Sequence, residues 1–171
     1  MWTVLNEEYD IKCTFLDVSD ELLNKLGDDI KKTGDKTYRV SNLKAEMTNW
    51  KTELKSFFQL ESHIVNQYTK RCTFLDHWGA VYRDDDHALP HNHDLYGAHA
   101  GPNFLSFVFY VDAPEGSGKI YFSEVDLTVE PQNKMLVTFP TTVVHEVYPN
   151  TISGIERIIT AGNIVFSVDN V

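Results

Sequence analysis

The chain has 171 residues, 42% of them hydrophobic and 23% charged, with 15 basic against 25 acidic side chains and a formal net charge of -10. That length and apolar content suit a single domain with a buried core. So acidic a surface argues against nucleic acid or an anionic membrane as a partner, because like charges repel.

Met1 to Asp10 lacks a basic stretch followed by an apolar one, so no secretory signal is read there. The only cysteines are Cys13 and Cys72, too few for a disulfide framework, and the expectation is reduced thiols in a cytoplasmic protein. Cys13-Thr-Phe-Leu-Asp17 recurs as Cys72-Thr-Phe-Leu-Asp76, but the flanks differ and no duplication follows. Each cysteine is expected at the start of a buried strand. Tyr9 to Val18 reads as a strand. Ser19 then caps a helix with Asp20 and Glu21 in its first turn and Leu22, Leu26 and Ile30 on one face, ended by Gly34. A second helix is predicted from Thr52 to Lys70, with Phe57, Leu60, Ile64 and Tyr68 at helical spacing for packing on a sheet.

From residue 73 the pattern changes to strands. The candidates are His77–Tyr82, Phe104–Ala113, Lys119–Phe122, Asp126–Val129, Met135–Phe139, Val144–Tyr148 and Arg157–Val168. The apolar run from Phe104 to Val111 is broken by Ser106 and is too short to span a bilayer, so a buried strand is expected there. Turn-rich segments such as Ala113-Pro-Glu-Gly-Ser-Gly118 separate the strands, which suggests a sandwich or barrel. The organisation expected is one domain over 1–171, with 1–72 as a helical support layer plus first strand and 73–171 as the β core.

Five of the seven histidines lie between positions 77 and 99. In Pro90-His-Asn-His-Asp94, His91 and His93 are two apart, and on a strand such residues point to the same side and can share a metal. The best third ligand is His145, after a buried strand and Pro140; the competing reading is a hydrogen-bonded core histidine. His77, His87 and His99 read as structural or loop residues, with His99 in a Gly-flanked stretch suited to covering the site. His63 has no role. Trp78, Tyr82 and Tyr96 can serve recognition or simply pack.

Arg157 opens the last strand, and an inward arginine needs a partner. Its guanidinium suits a carboxylate held by two parallel hydrogen bonds. Asn163 shares its strand parity and can add a second polar contact. The plainer alternative is a surface salt bridge, for example with Glu146.

These residues resemble the Fe(II)- and 2-oxoglutarate-dependent oxygenases, nearest to small microbial and phage-type members of the prolyl-hydroxylase-like branch. The resemblance spans roughly Trp78 to Val168. It rests on Pro90-His-x-His93, Ser106-Phe-Val-Phe-Tyr-Val111, Gly118-Lys-Ile-Tyr-Phe122, Leu136-Val-Thr-Phe-Pro140, His145 with Val147, Pro149 and Asn150, and Gly154 with Arg157, together with Met47-Thr-Asn-Trp50 upstream. It implies a mainly β fold with N-terminal helices, a double-stranded β-helix or cupin-like jelly roll with helices packed on one sheet. It also implies Fe(II) at His91 and His145, 2-oxoglutarate as co-substrate held by Arg157, and hydroxylation of a substrate the sequence does not name.

Most members of that family carry a carboxylate two residues after the first histidine. Here that slot holds His93, and no His-x-Asp or His-x-Glu occurs in the chain. The third ligand is therefore His93 or Asp94, and His93 is preferred. The family's common serine two residues after the arginine is replaced by Ile159. Two rival readings remain: a cupin-type enzyme with three histidine ligands that does not use 2-oxoglutarate, and a non-catalytic, metal-stabilised binding module. Against the first, cupin patterns usually place a glutamate soon after H-x-H, and none follows His93 until Glu115.

Overall fold

The computed structural model describes residues 1–35, 42–49, 54–94 and 97–167. Trp50, Tyr96 and the predicted start of the second helix at residues 52 and 53 lie outside these. In chain order the elements are β1 (Thr3–Asn6), β2 (Ile11–Phe15), α1 (Asp20–Thr33), β3 (Leu43–Lys44), β4 (Glu46–Met47), α2 (Phe57–Val65), β5 (Cys72–Arg83) and β6 (His87–His91). They continue with β7 (Phe104–Asp112), β8 (Ile120–Phe122), β9 (Leu127–Val129), β10 (Met135–Pro140), β11 (His145–Val147) and β12 (Glu156–Phe166).

The strands form two antiparallel sheets. The larger runs β1-β2-β10-β7-β12-β5-β4 and the smaller β3-β6-β11-β8-β9. Interleaving of late and early strands in both sheets is the signature of a jelly roll. The centre of the larger sheet is buried on both faces, which is why β7 reads as an unbroken apolar run. Along it Phe107, Phe109 and Val111 join one apolar cluster, and Val108 and Tyr110 the other. The first cluster includes Leu22, Leu26, Ile30, Phe57, Leu60 and Ile64 of the two helices. The second lies between the sheets, where Ile120 and Phe122 meet Val137 and Phe139.

Helix α1 forms as its sequence prescribes. The Ser19 hydroxyl accepts from Leu22 N at 3.2 Å, Asp20 and Glu21 favour the positive end of the helix dipole, and Lys31 and Lys32 the negative end. Its apolar face lies so close to the larger sheet that a Cβ at Gly79 would collide with Ile30. Helix α2 is shorter than the spacing predicts. The chain leaves it at Asn66, yet Tyr68 still packs from outside, its ring 5.5 Å from Trp2 and 5.0 Å from Phe166. Helical spacing and a shared apolar cluster coincide there without a continuous helix. Of the two cysteines, Cys72 begins a strand and Cys13 lies within one; both are buried free thiols.

Candidate metal centre

His91 ends β6 and His145 begins β11, and the two are paired across the smaller sheet. Two residues of β6, Leu89 and Pro90, stand opposite one of β11, Glu146, which makes a bulge there. Proline is tolerated in such a place because it has no N–H to give to the ladder, and bulges re-aim side chains beside functional sites. His93 is not on the strand, contrary to the parity argument. It lies in the segment after β6, pinned by its N–H to the Thr141 carbonyl at 2.8 Å. This loop, rather than strand alternation, turns its ring back towards the other two.

The three rings converge. Ring centroids are 4.3 Å apart for His91 and His145, 5.1 Å for His93 and His145, and 5.3 Å for His91 and His93. One nitrogen from each lies within 4.8 Å of the others, a donor set that can hold a metal ion. The Asp94 carboxylate is not part of this cluster. Each Nδ1 is engaged away from the centre: His91 with the Leu89 carbonyl at 2.7 Å, His145 with the Val143 carbonyl at 3.2 Å, and His93 with Asn163 Oδ1 at 3.0 Å and Ser106 Oγ at 2.8 Å. A carbonyl oxygen only accepts, so Nδ1 carries the proton and Nε2 keeps the lone pair a metal needs.

Burial keeps the rings neutral. It pushes His145 well below the ordinary histidine value of 6.5, helped by His93 and His91, against the bond to Val143. It lowers His93 to about 4, helped by His91 and opposed by Asn163, and it also lowers His91. A depressed histidine pKa means that the unfolded chain binds more protons, so stability is full above 6.5 and falls as pH drops towards the folded-state value. For His93 alone the interval from 6.5 to about 4 corresponds to ~3 kcal/mol. Urea unfolding of the metal-free protein is expected to show this loss between neutral pH and pH ~4, and His93→Ala to flatten that part of the profile.

The rings open onto a cavity of about 510 Å³ that Arg157 also lines, with Trp78, Tyr82, Tyr110 and Phe139 among its walls. The rings of Trp78 and His93 meet edge to face with centroids 5.5 Å apart. Arg157 is 1% exposed, so the surface salt bridge does not form. Its guanidinium carbon sits 4.2 Å from the Tyr82 ring centroid, and Nη1 donates to the Gly118 carbonyl. Nε and Nη2 are buried without a hydrogen-bond partner among the described residues. Burial pulls the arginine pKa down while Tyr82 and Tyr110 hold it up; guanidinium stays protonated in proteins. Burial also raises Tyr82 to about 12, so its hydroxyl is neutral.

Gly118 permits this seat. A Cβ there would meet the Tyr148 carbonyl, the Pro149 carbonyl at 2.6 Å and Arg157 Nη1 at 2.7 Å. Gly118→Ala is therefore expected to displace the guanidinium and weaken carboxylate binding in the cavity while leaving metal binding intact. Calorimetric titrations with metal and then with the keto acid would check this.

Asn163 faces the cavity as its parity with Arg157 requires, but it does not lie beside the arginine. Six residues of strand separate their Cα atoms by roughly 20 Å. The Asn163 amide is taken up by His93, Ser106 and Asp76. Sequence reasoning missed Ser106 and Asp76 because their importance comes from cross-strand register: Asn163 is paired with Asp76 on β5 and with Ser106 on β7. His99 stacks on Phe104 with centroids 5.4 Å apart, and its carbonyl accepts from Thr141 Oγ1 at 2.5 Å. His87 opens β6 with Nδ1 on the Asp85 carbonyl at 2.9 Å. Neither belongs to the three-ring cluster.

No family model matches the chain, and no curated protein matches it in sequence. Solved structures match its fold. The collagen prolyl hydroxylase of Paramecium bursaria Chlorella virus-1, in its 2-oxoglutarate complex, aligns with a TM-score of 0.64 at 18% identity, covering 97% of this chain and 100% of that one. A Pseudomonas putida prolyl-4-hydroxylase gives 0.66 at 16% identity, with 92% of each chain covered. HygX from Streptomyces hygroscopicus, with nickel and 2-oxoglutarate bound, gives 0.67 at 9% identity, covering 92% of this chain and 83% of that one. At these identities the likeness establishes architecture: the chain has the jelly-roll fold of the prolyl-hydroxylase-like 2-oxoglutarate-dependent oxygenases.

Proposed function

We infer that the protein is an Fe(II)- and 2-oxoglutarate-dependent oxygenase in which His91, His93 and His145 hold the metal and Arg157 holds the far carboxylate of the co-substrate. The observation that carries the reading is that Arg157, which lines the cavity the three histidines share, leaves two guanidinium nitrogens without a partner among the described residues. A buried charge without a counter-ion is costly, and a ligand carboxylate reaching Nε and Nη2 would offset that cost. The donor set fits a divalent first-row metal, since three neutral imidazoles on one side leave positions open on the other.

When bound, the metal with 2-oxoglutarate and dioxygen would supply oxidative decarboxylation to succinate and carbon dioxide, coupled to oxidation of a substrate C–H bond. The chain's own part is placement. The Nδ1 bonds fix the three rings with Nε2 inward. Arg157, seated over the Tyr82 ring, sets the depth and angle of the co-substrate, and the aromatic walls exclude bulk water, which strengthens this electrostatic contact.

The all-histidine donor set favours a second reading, a cupin-type metalloenzyme that uses no 2-oxoglutarate. Aerobic incubation with Fe(II) and 2-oxoglutarate separates the two. The oxygenase is expected to release succinate slowly even without its primary substrate, and to lose that turnover in Arg157→Ala. Dioxygen uptake with a thiol or other small substrate, without succinate, would favour the rival.

A further inference from the structure

Three imidazoles hold a cation without contributing any charge, and one of the three is anchored differently from the others. His91 and His145 each give Nδ1 to a carbonyl of their own strand region. His93 reaches across to the larger sheet instead, where Asn163 Oδ1 and Ser106 Oγ receive it. Behind Asn163 stands Asp76. One carboxylate oxygen, Oδ1, accepts from Asn163 Nδ2 at 2.8 Å and from Asn163 N at 3.0 Å. The backbone is shaped for this contact. Asp76 pairs with Asn163 but Phe74 pairs with Ile164, so Leu75 is the extra residue of a bulge. The Asp76 side chain takes the Asn163 N–H at that irregularity.

We propose that Asp76, acting through Asn163, is a positioning residue of the metal centre that fixes the ligand tautomer of His93 and places behind it a negative charge that the imidazole set lacks. The proposal rests on the three histidines holding a metal. The chain of constraint is short. An ionised carboxylate only accepts, so the Asn163 amide must turn its NH₂ to Asp76 and its oxygen to His93. That oxygen requires a proton on His93 Nδ1, which leaves the lone pair on Nε2. Ser106 cannot impose the same choice, because a hydroxyl donates or accepts equally well. Without an acceptor at position 76 the amide is free to turn over and present NH₂ to His93. Nδ1 must then accept, the proton moves to Nε2, and the nitrogen that should bind metal is blocked.

Asp76→Asn removes the charge while preserving size and an acceptor for Asn163, and Asp76→Ala removes the acceptor as well. Expected is a fall in Co(II) affinity of about 10–100-fold, the usual cost of losing an outer partner of a ligating histidine, followed by absorption titration of the full chain. Imidazole ¹⁵N shifts of the metal-free protein should show His93 protonated at Nδ1 in the wild type and in Asp76→Asn, whose side-chain oxygen still receives both Asn163 donors, and a tautomer mixture in Asp76→Ala. Asp76→Asn/Asn163→Asp, which puts the obligate acceptor against His93, should recover most of the affinity. Should Asp76→Asn not fold, Asn163→Ala breaks the same connection and is expected to lose affinity similarly. Wild-type affinity in Asp76→Asn and an unchanged His93 tautomer in Asp76→Ala would overturn the proposal while leaving the metal centre standing. A wild-type chain that binds no Co(II), or binds it equally well after His145→Ala, would overturn the metal centre and the proposal together.

Discussion

His145→Ala is expected to abolish tight metal binding, with a loss exceeding the ~10–100-fold that removal of an outer-shell partner costs. His145 begins β11 opposite His91, and its ring centroid is within 5.1 Å of both partner rings. With it gone, His91 and His93 remain as neighbours on one short segment, one at a strand end and one in a loop. The same variant should lose ligand stabilisation. Metal at about 100 times its dissociation constant adds ~2.7 kcal/mol to the wild-type fold and raises its Tm. The variant should unfold at one temperature with and without metal. Anaerobic equilibrium dialysis against Fe(II), with parallel melting curves, measures both quantities.

Arg157→Met is expected to act in two directions at once. Keto acid affinity of the metal-loaded protein should fall by ~2–5 kcal/mol, the usual cost of truncating one partner of a buried, hydrogen-bonded charge pair. Stability of the metal-free protein should rise, by ~1–4 kcal/mol, because an apolar side chain of similar length replaces a buried charge that lacks a counter-ion. Arg157 is 1% exposed, with Nε and Nη2 unpartnered among the described residues. Metal affinity should be unchanged, since the contacts of Arg157 are with Gly118 and Tyr82 rather than with the histidines. Titration calorimetry and urea unfolding together decide the matter. Lower stability with unchanged keto acid binding would mark Arg157 as a structural residue.

Much of the architecture was legible because local physics and global fold agree there. Ser19, the acidic first turn and the Leu22, Leu26, Ile30 stripe specify α1 without reference to the rest of the chain. The run from Phe104 to Asp112 announces a strand buried on both faces. What stayed hidden depends on partners distant in sequence. Strand β6, His87-Ala-Leu-Pro-His91, contains a proline and follows three aspartates, so it resembles a loop until β3 and β11 pair with it. β1, β3 and β4 have two to four residues each, too few for any alternation to register.

The site shows the same division. His91, His93 and His145 could be chosen by residue type and spacing, and Arg157 by the oddity of a charge heading a buried strand. Strand parity alone would bring His91 and His93 together, yet the geometry uses a strand end and a loop held by Thr141. Asn163 was legible as an inward polar residue, but its neighbours were not. Asp76 and Ser106 lie 87 and 57 positions away, and only the β5-β12-β7 register brings them to one place.

The most direct test of three imidazoles and one guanidinium sharing a ligand is optical. Fe(II) is added to the purified chain without oxygen, 2-oxoglutarate follows, and the visible spectrum is recorded after each addition. No band is expected from either component with protein alone. A metal-to-ligand charge-transfer band should appear when both are present and saturate at one iron per chain. A spectrum that stays flat with both present, from protein shown by dialysis to hold iron, would contradict this reading.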